Sequence, residues 1–393
     1  MRRSTLGLIL TLLFGFSFNG LLATALPLYL RDKGVSIVEI GMIFSAYYFV
    51  TQLLRILIGA IADRVGTRSL IRISGLTQAL TVLVYFFSPF SSFFLIGKIL
   101  EGISASFVRA IDKAIVYSGA MAEKRDIGKV AGSYSVFLWT GIGTGSFVAG
   151  VLIGFGYEYV FGLLVAISLS FVAISYLEPK KEKESLNGVF AHAFDWGKMG
   201  DKLRRITIIR TLEGFAWTLT TSFLLVIILK EFYGLSTELV GALLLLIYLM
   251  RAAAGYSYGQ FISRFDAKSV FVACTLLSVI ASCVAALVLS GGSELWYQGG
   301  NKEGGFLLFS VAIIANVVFM GIRAPAINKV MVLAAHKKEL GKEISYSLLG
   351  YWVGMGLGDC FSGALADAGS FALPYFLASL AQLILAWAIW RFV

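Results

Sequence analysis

Runs of about 20 apolar residues recur from Leu6 to Phe392, separated by polar stretches mostly shorter than ten residues. A helix of that length matches the hydrocarbon thickness of a bilayer. With no water there to bond the backbone, such runs must satisfy their own N–H and C=O groups, which a helix does. The pattern predicts an all-α membrane protein and leaves little chain for soluble domains. Composition agrees, because 58% of the 393 residues are hydrophobic and only 14% are charged, far from the balance of a water-soluble domain.

Hydropathy and turn residues divide the chain into twelve segments, at 5–30, 36–61, 69–90, 93–119, 127–154, 159–178, 204–230, 236–262, 268–290, 305–333, 343–366 and 371–392. An N-terminus in the cytoplasm places 21 Lys and Arg residues on the inner side and four on the outer side. That bias predicts a multi-pass protein of the cell membrane with both termini cytoplasmic. The net charge of +10 then reflects topology and contact with anionic lipid head groups, and does not call for nucleic acid. The first run follows Arg2 and Arg3 without a small-residue cleavage site, so it reads as a retained helix. Cys274, Cys283 and Cys360 lie within apolar runs, and His192 and His336 in polar connections. No disulfide framework, metal site or cofactor follows from these.

The long connection after the sixth segment divides the chain into six-helix bundles at 1–178 and 204–393, joined by a cytoplasmic linker at 179–203. Leu186, Val189, Phe190 and Phe194 share one helical face there, which suits a helix lying on the membrane or a plain solvated linker. The two bundles resemble each other. "GAIADRVGTR" at 59 aligns with "GQFISRFDAK" at 259, "RAIDKAIV" at 109 with "PAINKVMV" at 325, and "GIGTGSFVAG" at 141 with "GMGLGDCFSG" at 354. Three matches in the same order, at offsets of 200, 216 and 213, point to duplication. Two repeated bundles around a shared interface suit a secondary transporter with a site near the midplane.

On these residues the chain resembles the major facilitator superfamily over essentially its whole length. "GAIADRVGTR" matches that family's loop signature, G-x-x-x-D-R-x-G-R followed by a basic residue, with only Thr67 departing. A second signature, R-x-x-Q-G, stands here as "KILEG", with Lys98, Glu101 and Gly102. A third, found on the fifth helix of the family's antiporters, stands as "GIGTGSFVAG", with Ser146 where proline is usual and Ala149 where glycine is. The resemblance implies twelve transmembrane helices in two pseudo-symmetric bundles, a small-molecule substrate, and a proton or other coupling ion. It also implies a cytoplasmic gate made by Gly59, Asp63, Arg64, Gly66 and Arg68, with Asp112 as an ion-pair partner for the arginines.

Charges inside a membrane are expensive and are functional candidates by default. Lys98 with Glu101, and Arg210 with Glu213, stand at i, i+3 on one helix face. These four and Asp359 are the candidates for proton coupling, with a static ion pair as the competing reading. Arg109 and Arg251 could face an anionic substrate, while Asn19, Trp217 and Thr220 could line its cavity. Gly141, Gly145 and Gly150, and their counterparts Gly354, Gly358 and Gly363, are expected to let neighbouring helices approach closely. A monomeric exporter of small organic solutes working by proton antiport is the first expectation, and a proton symporter importing an organic anion is the second. "GLGD" at 356–359 resembles the signature of intramembrane aspartyl proteases, but no Tyr-Asp pair supplies their second aspartate. The chain has no P-loop for ATP.

Overall fold

The computed structural model describes residues 3–122, 127–178, 201–261, 264–291, 302–334 and 340–392. Excepted are the side chains at 3, 56, 59–65, 110–114, 117–122, 127–131, 202, 261, 302, 329, 332–334 and 340–347. The linker helix expected around Leu186 to Phe194, and the side chains of Gly59, Asp63, Arg64 and Asp112 in the expected gate, fall outside this description.

Twelve helical rods run back and forth among the described residues. The first comprises α1 (Arg3–Phe14), a π-helical stretch (Gly15–Leu22) and α2 (Ala23–Asp32). The next five are α3 (Ile37–Val65), α4 (Thr67–Phe87), α5 (Ser91–Ala122), α6 (Ile127–Ile153) and α7 (Tyr157–Ser175). The seventh comprises α8 (Asp201–Thr221), α9 (Phe223–Ile227) and a π-helical stretch (Ile228–Phe232). It is followed by α10 (Thr237–Phe261), α11 (Ala267–Gly291), α12 (Lys302–Ala334), α13 (Leu340–Asp367) and α14 (Ala372–Phe392). Among the described residues, eleven rods are long and apolar enough to cross a membrane. The 28-residue α13 is the twelfth and packs on both α8 and α3. The fold is the all-α, twelve-helix membrane architecture that hydropathy indicates.

Both termini lie at one end of the bundle, here the terminal face, and the halves interlock at the opposite, distal end. Leu21, Leu22 and Leu26 of the first rod share one buried cluster with Val226, Ile227 and Leu229 of the seventh. Arg31 caps that cluster: its Nε donates to Glu231 Oε1 at 2.6 Å and its Nη2 to Glu231 Oε2 at 3.1 Å. Toward the terminal face the cores separate. Leu203, Ile206, Phe271, Leu385 and Ile389 form a cluster confined to the second half. The first half's cluster around Leu6, Leu70 and Ile71 reaches the second half through Trp217, Met320, Trp352 and Met355.

The glycine stripes set the helix spacing, and each stripe serves two neighbours. Side chains added at Gly141 and Gly145 would strike the Leu12 and Phe16 carbonyls of the first rod, and those at Gly354 and Gly358 the Thr211 and Phe215 carbonyls of the seventh. The third glycine of each stripe faces the opposite half. A methyl at Gly150 would lie 3.1 Å from Gly241 Cα on α10, and one at Gly363 would lie 3.1 Å from Gly41 Cα on α3. The second and eleventh helices thus approach closely at Gly41 and Gly363, near the distal end. In hydrocarbon such contacts hold helices together through dispersion and shape, so a missing Cβ is what permits them.

Candidate functional site

A cavity of about 230 Å³ lies between the halves, walled by α3, α5, α6, α8, α10, α13 and the irregular parts of the first and seventh rods. Its polar lining includes Asn19, Lys98, Glu101, Arg109, Ser222 and Arg251. Seven Tyr and Trp residues of the lining surround these: Tyr47, Tyr48, Trp139, Trp217, Tyr248, Tyr351 and Trp352. The first rod is π-helical where it passes this level, and the seventh rod is broken there at Ser222. In the first rod Asn19 Nδ2 donates to the Phe14 carbonyl at 3.3 Å, which helps satisfy the distorted turn.

Arg251 is the centre of the second half's wall. Its guanidinium carbon lies 3.7 Å from the Trp139 ring centroid and 3.9 Å from that of Trp217, so an indole from each half flanks the charge. Trp139 in turn stacks on Tyr248, with centroids 5.8 Å apart. Only 6% of Arg251 is exposed, and its Nε and Nη1 have no hydrogen-bond partner. On the opposite wall Arg109 Nη2 donates to Asn19 Oδ1 at 3.1 Å, and its guanidinium lies about 5 Å from the rings of Phe14 and Trp352.

The expected coupling carboxylates are held differently from one another. Glu101 accepts from Lys98 Nζ at 3.0 Å and from the Tyr85 hydroxyl at 2.8 Å, with all three side chains buried. The Lys98 ammonium also sits 4.0 Å above the Phe44 ring. Glu213 accepts from Arg210 Nε at 3.0 Å and lies 3.6 Å from Arg323 Nε. Asp359 is fully buried, and neither of its carboxylate oxygens has a hydrogen-bond partner.

Of the expected cavity residues, Asn19, Arg109, Trp217 and Arg251 line the wall, and Thr220 does not. Its hydroxyl contacts Asn316 Nδ2 at 3.4 Å and the Ala216 carbonyl at 3.1 Å inside the second bundle. Thr221 and Ser222 line the cavity in its place, because each helical step turns the side chain by about 100°. In the loop after α3, Gly66 takes φ +84°, a conformation open to glycine, and so lets α4 begin at Thr67. The Arg68 guanidinium lies 4.7 Å from the Tyr176 ring, with Arg72 at 4.6 Å from the same ring, and the side chain of Asp112, its expected partner, lies outside the described residues.

The Arg31 and Glu231 contact escaped sequence reasoning, although the two residues are 200 positions apart, the offset of the first repeat match. Equivalent positions in the halves carry opposite charges, and that signal was available.

The family model of the Major Facilitator Superfamily matches this chain twice, at residues 7–209 and 206–393. The chain belongs to the major facilitator superfamily. The two matches meet where the duplicated halves join, and they account for the repeat of bundles. A transporter of this superfamily from Methanocaldococcus jannaschii, itself uncharacterised, is 27% identical over 175 residues, 43% of this chain and 45% of its own length. The staphylopine export protein of Staphylococcus aureus is 31% identical over 99 residues, 25% of this chain and 24% of its own length. The alignments thus span less than half of these curated relatives. The solved structure of the nucleoside transporter NupG superposes with a TM-score of 0.74 at 15% identity, covering 100% of this chain and 99% of that one, and so shares the fold. The chain is a membrane transporter of a small solute and not an enzyme. Within "GLGD", Gly358 is one of the helix contacts described above and Gly356 faces the Phe49 ring of α3.

Proposed function

We propose that this superfamily member exports a small organic anion by alternating access, with its terminal face in the cytoplasm. The observation that carries the reading is Arg251, a cavity-lining guanidinium whose Nε and Nη1 are unpartnered between two indoles. A guanidinium binds carboxylate or phosphate through a fork of N–H donors, and indole faces steady its charge without competing for those donors. Arg109 lines the same cavity from the other half, so one anion can be gripped by both bundles. The surrounding Trp and Tyr rings suit a ligand with an apolar or aromatic body.

Export is supported by the glycines Gly141, Gly145 and Gly150 kept from the antiporter pattern, and by the export activity named for the staphylococcal relative. A potential that is negative inside favours outward movement of an anion by about 2.3 kcal/mol per charge per 100 mV. With Arg31 and Glu231 joined at the distal end, the described arrangement corresponds to the state facing the cytoplasm. Glu101 and Glu213 are each engaged by two partners. Asp359 is the expected coupling carboxylate whose oxygens are unengaged, and we assign the coupling cation to it.

Counterflow in proteoliposomes tests this with a panel of aromatic carboxylates, organic phosphates, cationic drugs and neutral sugars. Anions are expected to exchange, and Arg251→Gln to raise the half-saturating concentration by roughly tenfold to a hundredfold, the worth of one charged hydrogen-bonding group. Exchange of cations or sugars with no exchange of any anion overturns the reading. Import of the same anion by cation symport is the second reading. It is favoured by the position of Asp359 off the cavity wall, apart from Arg251 on it, which allows both ions to bind together. An inward cation gradient that drives accumulation of the anion, and not its efflux, selects it.

A further inference from the structure

The seventh rod is interrupted at one residue. Ser222, with φ −85° and ψ −154°, takes the backbone out of the helix between α8 and α9. The end of a 21-residue helix such as α8 leaves its last carbonyls without intrahelical donors and carries a partial negative charge. One of these carbonyls, that of Thr220, accepts the Tyr375 hydroxyl at 3.2 Å. The Ser222 side chain reaches the cavity wall. Asp359 of α13 faces that hydroxyl without completing a hydrogen bond to it, and the Tyr48 hydroxyl of α3 turns to the same serine.

Asp359 is therefore a fully buried carboxylate with two unengaged oxygens, facing Ser222 where the seventh rod breaks. Among the described residues no ion pair reaches it within 4 Å. Lys98 of α5, the cation acting on it from the facing half, is bound to Glu101 at 2.9 Å. A carboxylate left bare in such surroundings is costly, so a cation must neutralise it in at least part of the cycle. The groups at the break are a carboxylate, the Ser222 and Tyr48 hydroxyls and the last carbonyls of α8, the hard oxygen set that alkali and alkaline-earth ions take. Among the described residues no group of three His, Cys, Asp or Glu is present, and a single carboxylate matches one positive charge, not two. A proton would need Asp359 alone. The break in the helix supplies the extra oxygens that a metal ion requires, as discontinuous membrane helices do elsewhere.

We propose that Asp359, Ser222 and the carbonyl end of α8 form a binding site for sodium, distinct from the anion-binding wall at Arg251. It rests on the assignment of Asp359 as the coupling carboxylate and adds the identity of the cation. Because Ser222 stands at the joint between the long lower helix and its distal continuation, an ion held there stiffens the seventh rod. Trp217 lies five positions before that joint and contacts Arg251, so occupancy of the site is felt at the anion-binding wall.

The test uses the purified full-length chain in nanodiscs with no organic substrate, following intrinsic tryptophan fluorescence and thermal unfolding. Sodium chloride is titrated against choline chloride at constant ionic strength, then against potassium chloride, at two pH values. The expected result is a saturable response to sodium that choline does not give. Asp359→Asn should weaken it by about tenfold or more and Ser222→Ala by a smaller factor, since the former removes the charged ligand and the latter a neutral one. An unfolding midpoint for each variant in choline close to that of the parent chain establishes that both are folded. A parent chain indifferent to sodium, a response unchanged in Asp359→Asn, or a response that follows pH alone overturns the proposal. Sodium binding without anion counterflow supports this site and removes the anion reading; anion counterflow without sodium binding does the reverse.

Discussion

Lys98 and Glu101 form a pair that sequence spacing placed on one helix face and that burial made consequential. Each is 3% exposed and they lie 2.9 Å apart, with Tyr85 and Phe44 completing the surroundings. Replacing one member leaves the other charged and without its counter-ion in a dry site. Glu101→Leu alone, or Lys98→Met alone, is therefore expected to lower stability by about 3–5 kcal/mol, while the double replacement costs much less. Unfolding midpoints of the four proteins in detergent give the coupling directly. Equal and additive losses would show that the two residues do not depend on each other. The pairs at i, i+3 were legible because that spacing fixes a shared face. The aromatic flanks of Arg251 were not legible, because Trp139 and Trp217 come from different halves of the chain.

At the scale of the helix, the glycines divide by what stands opposite them. A side chain at Gly354 would collide with the Thr211 carbonyl, whereas one at Gly162 on α7 meets nothing within 4 Å. Gly354→Ala is expected to destabilise by about 1–3 kcal/mol, because the obstacle is backbone and cannot rotate away. Gly162→Ala should instead be neutral or stabilise by up to about 1 kcal/mol, the helix-propensity gain of alanine over glycine. Thermal unfolding of the two variants side by side decides it, and equal effects would contradict the packing described here. Both stripes could be read as contact surfaces from glycine spacing alone. That Gly150 and Gly363 face the other half, while the first two glycines of each stripe face their own, depends on where rods pass one another. The same holds for the seventh rod, where the sequence predicted one continuous helix and the chain breaks at Ser222.

For the whole molecule, the distal interlock sets which face the cavity can open toward. Arg31 and Glu231 are about one-third exposed, so water screens their attraction and the pair is worth about 1 kcal/mol or less. Bidentate geometry places it toward the upper part of that range. Glu231→Gln is expected to move the population toward the state open at the distal end by up to about fivefold. Spin labels placed across the distal end and read by distance distributions measure the shift. Unchanged distributions would mean that the buried apolar cluster of Leu22, Leu26, Val226 and Ile227 holds the halves together without help from the ion pair.

Hydropathy alone determined the membrane class, the helix number and the approximate span limits, because the bilayer imposes a length and a polarity on every crossing segment. The repeat matches determined that the helices fall into two related sets, and the loop signature identified the superfamily. Which side chains meet was decided only by tertiary structure. Arg251 between two indoles, Asp359 beside the break at Ser222, and Thr220 turned away from the cavity all depend on the rotation of one rod against another. Packing in lipid fixes that rotation through many small contacts, and no single stretch of sequence contains them.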